Sequence, residues 1–235
     1  MSEPRHIRRR RLPSPGGEGK GEGGRNPVAP LAEQFEDMTQ QHESATLGMW
    51  TFLATEVLFF GGMFMGYIVY RHAYPRAFAE ASRHTIVLFG TINTAILLTS
   101  SLTMALGVRA AQLNLRKSLV AWLALTVLLG LAFLGVKGLE YQQDLREHLW
   151  PGPHFNPALG PQSQIFWFLY WAMTGLHALH VTVGVVVIGI MTFLARAGRF
   201  SNYYHTPIEV TGLYWHFVDI VWIFLYPLLY LVNRA

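Results

Sequence analysis

The stretch Gln164–Ala195, QIFWFLYWAMTGLHALHVTVGVVVIGIMTFLA, decides the fold class of this protein. It runs for 32 residues without an Asp, Glu, Lys or Arg. About 18 apolar residues in a row are enough for one helix to cross the hydrocarbon core of a membrane. A run of this length therefore predicts a transmembrane helix that projects from the bilayer or is strongly tilted.

Four further runs of the same character lie elsewhere in the 235-residue chain, at 47–70, 85–108, 119–136 and 211–232, and only two of them contain a charge, Glu56 and Asp219. Charged residues make up 14% of the chain, well below the usual quarter of a soluble domain. The sequence thus predicts an all-α integral membrane bundle of five transmembrane helices. The expected spans are about 47–70, 85–108, 119–137, 164–195 and 211–232.

The N-terminal part of the chain has a different composition. Residues 1–41 are rich in Gly, Pro and Arg, and they are predicted to form a disordered basic cytoplasmic tail ahead of the membrane domain, residues 42–235. Seven Lys and Arg residues lie in the first 25 positions. With the N-terminus inside, twelve Lys and Arg residues fall on the inner side and six on the outer side, which predicts the orientation N-in, C-out. Nothing fold-like accompanies the basic arm, so a nucleic-acid partner is not expected.

The chain contains no cysteine, which excludes disulfides, iron–sulfur clusters and covalently attached c-type haem. Nor does it show a nucleophile–base pair, a phosphate-binding loop or a complete set of metal ligands. We therefore expect no catalytic residue, no metal site and no cofactor in this chain.

Ionisable residues inside the spans are the candidate functional residues, because a charge in the bilayer is costly and needs an explanation. Glu56 is the tenth residue of the first span. It is either a carboxyl linked to proton or lipid chemistry, or a neutral carboxyl that ties two helices together. The residues alone leave these two interpretations open.

Two pairs of polar residues stand at helical i, i+3 spacing: His177 and His180 in the fourth span, His216 and Asp219 in the fifth. Intramembrane histidines can ligate haem, and His180 with His216 is a conceivable ligand pair. Asp219 could orient His216 as a carboxylate behind a ligand does, or satisfy it within a structural network. The structural interpretation is favoured.

A fourth set of charges follows the third span. Lys137, Glu140, Asp144 and His148 recur at i, i+3, i+7 and i+11, which predicts that this helix continues past the membrane with its charges on one side. The prolines that follow, between residues 151 and 161, prevent further α-helix.

Three motifs carry a family resemblance. The stretch 49–62, MWTFLATEVLFFGG, resembles the Glu-containing helix of cytochrome c oxidase subunit III, and 174–184, TGLHALHVTVG, resembles the GxHxxH helix of that family. The stretch 214–222, YWHFVDIVW, is similar to the family's closing helix. Glu140-Tyr141 matches a fourth feature, and the order and spacing of all four agree over roughly residues 42–233.

The resemblance implies an accessory, non-redox subunit of a proton-pumping haem–copper terminal oxidase. It implies a place in the bacterial plasma membrane beside subunit I, with subunit II and possible small subunits or a respiratory supercomplex nearby. Haem and copper are then expected in the partner subunits, and phospholipid bound to this one. Family members commonly have seven helices, so the shorter bundle here implies that a partner supplies part of the usual structure.

By motif matching, the resemblance implies that Glu56 is the family's membrane carboxyl and His180 a histidine near bound lipid. We hypothesise that these two side chains approach each other across the first and fourth spans. The remaining candidates for lipid contact or a structural polar network are His177, His216, Asp219, Glu140, Arg196, Arg199 and Asn202.

Other functions remain open at this point. Within the family, the alternative is the corresponding subunit of a quinol oxidase or a protein associated with nitric oxide reductase. Outside it, the alternative is a free-standing membrane haem protein or a transporter.

Overall fold

The computed structural model describes Phe35 and residues 38–200 and 204–231. These residues form six α-helices and no strand, and five of the helices are long and apolar enough to cross a membrane, which confirms the predicted fold class. The helices are α1 (Met38–Ala73), α2 (Pro75–Arg83), α3 (Val87–Gln112), α4 (Arg116–Arg146), α5 (Ser163–Arg196) and α6 (Thr206–Tyr226).

The helices extend beyond the apolar runs that predicted them. The first span was expected at 47–70 and α1 has 36 residues; the third was expected at 119–137 and α4 has 31. Backbone hydrogen bonds continue through polar turns, so a helix does not stop where its hydropathy falls. Most of the predicted N-terminal tail and Asn202 lie outside the described residues, and the N-in orientation stays a prediction from the charge count.

α6 is the central helix of the bundle. It contacts α1, α3 and α5, while α3 packs along α4 and α4 along α5. In the most apolar part of α6, 56% of the residues are buried within the protein, whereas in that of α1 the share is 17%. α1 therefore lies at the edge of the bundle and presents most of its surface outward.

Close packing around α6 depends on one large side chain beside two glycines. The Trp215 indole is fully buried, and its Nε1 donates to Ser100 Oγ on α3 at 3.1 Å. A Cβ placed at Gly130 on α4 or Gly184 on α5 would lie 2.9 Å and 2.8 Å from atoms of this ring. The two glycines thus allow one indole to fill the junction of four helices.

The chain beyond α6 continues directly into a short turn that is packed in the core. Pro227–Leu231 form a π-helical turn, called here the C-terminal turn, in which Tyr230 is fully buried. The Tyr67 hydroxyl on α1 donates to the backbone carbonyl of Leu228 at 2.7 Å. In the α4–α5 connection the prolines allow only a single 3₁₀ turn, Pro157–Leu159, as expected from the sequence.

Candidate functional site: a carboxyl–histidine pair and a buried charge cluster

Glu56 and His180 meet between α1 and α5, as the sequence hypothesis expected. His180 Nε2 lies 3.2 Å from Glu56 Oε2, although 124 residues separate the two along the chain. Their side chains are 16% and 17% exposed, so the pair lies near the edge of the bundle. The approach of the two side chains is confirmed; their role in proton or lipid chemistry stays a prediction.

The hydrogen bonds of the His180 ring constrain its protonation. Nδ1 lies 2.8 Å from the carbonyl oxygen of Leu176, which only accepts, so Nδ1 carries a hydrogen. A neutral ring then has no hydrogen on Nε2, and the bond to Glu56 requires a proton either on the carboxyl or on Nε2. In both cases the pair shares one proton, as a neutral hydrogen bond or as an ion pair.

Aromatic side chains surround this pair on the protein side. The Phe60 ring packs edge-on against the His180 ring, with centroids 5.3 Å apart, and the Tyr214 hydroxyl donates to the His180 backbone carbonyl at 3.0 Å. These contacts fix the orientation of α5 against α1 and α6. A shared proton at an apolar, partly open edge of the bundle is the chemical property of this site.

His177 lies one turn earlier on α5 but does not join the pair. Its side chain is fully buried between the rings of Phe133 and Trp222, at centroid distances of 5.5 Å and 5.1 Å. Neither ring nitrogen has a hydrogen-bond partner among the described residues. The two histidines of the fourth span therefore occupy different environments.

The pair expected in the fifth span is not joined either. His216 Nδ1 lies 2.7 Å from Ser101 Oγ on α3, and no hydrogen bond links it to Asp219, which is buried one turn further on. The orientation of His216 by Asp219 is thus absent. Because His180 binds Glu56 on α1 while His216 binds Ser101 on α3, the two histidines are engaged on different helices and not with each other.

A second polar site lies in the core, where the sequence predicted only a helix with charges on one side. Lys137, Glu140 and Asp144 do share one side of α4, but that side faces inward, and the three residues are 2%, 0% and 2% exposed. Tyr170 on α5 and Tyr230 of the C-terminal turn complete a buried charge cluster. His148 follows the end of α4 and is exposed, so it does not take part.

The members of the buried charge cluster are mutually hydrogen-bonded. Lys137 Nζ donates to Glu140 Oε2 at 3.0 Å, to the Tyr170 hydroxyl at 3.0 Å and to the Tyr230 hydroxyl at 2.7 Å. The Tyr230 hydroxyl donates to Glu140 Oε1 at 2.7 Å. The Tyr170 hydroxyl lies 2.9 Å from Glu140 Oε1 and 3.1 Å from Asp144 Oδ2. The i, i+3, i+7 spacing and the family match at Glu140-Tyr141 were the sequence signals for this site.

The basic residues expected at the inner side lie where α5 ends. Arg196 and Arg199 have exposed side chains. Arg116, which the sequence did not single out, donates to the backbone carbonyls of Ala195 and Arg196 and so caps the C-terminus of α5. Contact of Arg196 and Arg199 with lipid stays a prediction. Within the described part of the chain, no three His, Asp or Glu side chains are grouped as metal ligands would be.

Comparison with known proteins assigns the bundle to one family. The family model for cytochrome c oxidase subunit III matches residues 34–233. A cytochrome c oxidase subunit 3 of Thermostichus vulcanus is 31% identical over 84% of this chain and 92% of the relative. A subunit 3 of Synechocystis sp. is 33% identical over 79% and 74%. A probable quinol oxidase subunit 3 of Staphylococcus haemolyticus is 29% identical over 85% and 94%.

Proposed function

Because this chain belongs to the cytochrome c oxidase subunit III family, we propose that it is the accessory, non-redox subunit of a bacterial haem–copper oxidase that couples oxygen reduction to proton pumping. The five spanning helices give it a place in the membrane, and the plasma membrane is the one proposed here. Haem and copper belong, in this proposal, to the partner subunits I and II.

The 3.2 Å contact between His180 Nε2 and Glu56 Oε2, which requires one proton between them, is the observation that supports a part in proton handling. The pair lies at the edge of the bundle, and the shared proton can reside on either partner with the hydrogen bond between them kept. We therefore propose that Glu56 supports proton uptake by the complex and its survival during turnover.

Subunit I is the proposed main neighbour, and α1 is the helix with the largest outward surface. Arg196 and Arg199 at the inner end of α5 are proposed to contact phospholipid head groups, since both are exposed cations at a membrane boundary. The domain division at residue 42 likewise stays a proposal.

The substitution Glu56→Gln in the assembled oxidase tests the role of the pair. Gln keeps the size of the side chain and removes the titratable proton, so turnover-dependent inactivation should become faster while assembly is unchanged. The measurement is the number of turnovers before half of the activity is lost, together with the rate of proton uptake. Glu56→Gln should lower both the number of turnovers and the rate of proton uptake.

A matched control is Thr55→Ala, next to Glu56. The Thr55 hydroxyl is exposed and donates to the Phe52 carbonyl of its own helix, so its removal should leave both measurements at the wild-type value. If Glu56→Gln also behaves like wild type, the proposed proton role is wrong and Glu56 is a structural group.

Two electron donors are candidates, cytochrome c and a quinol. Relatives named as cytochrome c oxidase subunits and as quinol oxidase subunits match the chain at similar identity. A quinol oxidase is the second candidate. Purifying the complex and identifying its neighbouring chains decides between them: a cytochrome c-oxidising preparation supports the first and a quinol-oxidising one the second. A Soret band from the chain purified alone would contradict the accessory-subunit proposal itself.

A further inference from the structure

With both carboxylates ionised, the buried charge cluster has one donor hydrogen fewer than its hydrogen bonds require. Six hydrogen bonds join Lys137, Glu140, Asp144, Tyr170 and Tyr230 at 2.7–3.1 Å. An ammonium group supplies three hydrogens and each tyrosine one, which makes five. Since ionised carboxylates supply none, one of the six oxygen or nitrogen pairs would lack a hydrogen.

The missing hydrogen belongs beside Asp144. Tyr170 has one hydrogen, yet its oxygen lies within hydrogen-bond distance of both Glu140 Oε1 and Asp144 Oδ2. A proton on Asp144 Oδ2 or on Glu140 Oε1 would supply the missing hydrogen. Glu140 already accepts from Tyr230 and forms the ion pair with Lys137, which favours its ionised form, so the proton is placed on Asp144. Asp144 then donates to the Tyr170 oxygen, and Tyr170 donates its own hydrogen to Glu140, so that all six bonds are made.

The charge of the cluster leads to the same conclusion. One cation, Lys137, faces two carboxylates in a site from which water is almost excluded. A buried charge without a partner is strongly unfavourable. Binding one proton makes the cluster neutral, whereas releasing it leaves one uncompensated negative charge.

The groups around the cluster do not supply a positive charge that would compensate the second carboxylate. Glu147, on the turn that follows α4, is a further carboxylate and accepts from Gln143 at 3.2 Å. The Tyr141 hydroxyl donates to Thr174 at 2.8 Å and so points away. On α5, His177 is buried among aromatic rings. From α6, the ring of Trp222 lies 5.7 Å from Lys137 Nζ and is not titratable.

We propose that the buried charge cluster is a proton-binding site, which takes up one proton on Asp144 from the aqueous phase at the end of α4. Asp144 lies two residues before that helix ends, and its neighbours Gln143 and Glu147 are exposed, so the path from water is short. Binding forms one O–H bond at Asp144 Oδ2 and breaks one O–H bond of the hydronium ion that delivers the proton. The loaded cluster joins α4, α5 and the C-terminal turn.

The proposal has a definite pH dependence. The folded protein holds a proton that an exposed aspartate of the unfolded chain releases at neutral pH. The folded state then binds more protons, and stability must fall as pH rises. Asp144→Asn supplies the missing hydrogen permanently through its amide, so this part of the pH dependence should disappear.

The experiment uses the purified oxidase complex containing this chain. Infrared spectra of wild type should contain a protonated-carboxyl C=O band that Asp144→Asn removes and Glu147→Gln, an exposed carboxylate on the next turn, retains. Between about pH 6 and about pH 9, the temperature at which the chain leaves the complex should fall in wild type and in Glu147→Gln, with a smaller decrease in Asp144→Asn. An identical band and slope in all three proteins would overturn the proposal.

A second measurement does not depend on the assembly of the Asp144→Asn variant. Complex carrying Asp219→Asn, which removes the other buried aspartate among the described residues, and labelled with ¹³C at the aspartate carboxyls should show a protonated C=O band shifted to lower frequency, which supports the proposal. The absence of any protonated aspartate band in that sample would overturn it.

Discussion

Replacing Gly184 by Ala should destabilise the bundle, because the new Cβ would lie 2.8 Å from two ring atoms of Trp215. Carbon atoms in packed interiors are about 3.5–4.0 Å apart. The indole has little room to move away, since another edge of it lies against Gly130 and its Nε1 is bonded to Ser100. The clash must therefore be relieved by moving α5 away from α6.

The expected magnitude follows from two opposing terms. Overpacking of a closed core costs about 1–3 kcal/mol. Ala in a helix gains up to ~1 kcal/mol over Gly, which offsets part of it. We expect a net loss of about 1–2 kcal/mol. Gly189 lies on the same helix and a Cβ there would have nothing within 4 Å, so Gly189→Ala should be neutral or stabilising.

The assay is the midpoint of denaturant- or heat-induced release of this chain from the purified complex, compared between Gly184→Ala and Gly189→Ala. Adding Trp215→Phe, which removes the ring edge that meets Gly184, should make the double variant less destabilised than the sum of the two single ones. Equal midpoints for the two glycine variants, or strict additivity with Trp215→Phe, would refute the packing argument.

Two further substitutions test individual hydrogen bonds. Tyr67→Phe removes the hydroxyl that donates to the Leu228 carbonyl of the C-terminal turn. It should lower the free energy of release by about 1–2 kcal/mol, whereas Tyr70→Phe, at an exposed position one turn away, should not. Thr126→Val removes the buried hydroxyl that lies 2.8 Å from Thr103 and should cost about 1 kcal/mol in the same assay. Thr99→Val, at an exposed hydroxyl bonded only within its own helix, is the control, and equal losses would contradict the expectation.

The number and order of the spans could be predicted from the sequence because both follow from hydrophobic length, which is a local property. The ends of the helices could not. α1 begins nine residues before the predicted position, at Met38, since a polar segment can continue a helix once the apolar part has nucleated it.

The contact between Glu56 and His180 could be predicted only from the family resemblance. Neither hydropathy nor helical spacing relates two residues 124 positions apart. For His216 and Asp219, spacing was misleading, because two residues at i and i+3 share a helix face without bonding to each other. The partner of His216 is Ser101, one of several hydroxyl-bearing residues on α3, and the sequence does not show which of them a given side chain will bind.

The buried charge cluster shows why a charge in the sequence is a poor marker of a membrane boundary. Lys137 ended the predicted third span because it is charged, yet its partners Tyr170 and Tyr230 are 33 and 93 residues away and make it an interior residue. A buried lysine also has no place in a count of charges that face the aqueous phase. Removing Lys137 leaves five outer Lys and Arg residues against twelve inner ones, and the N-in orientation stays a prediction from that corrected count.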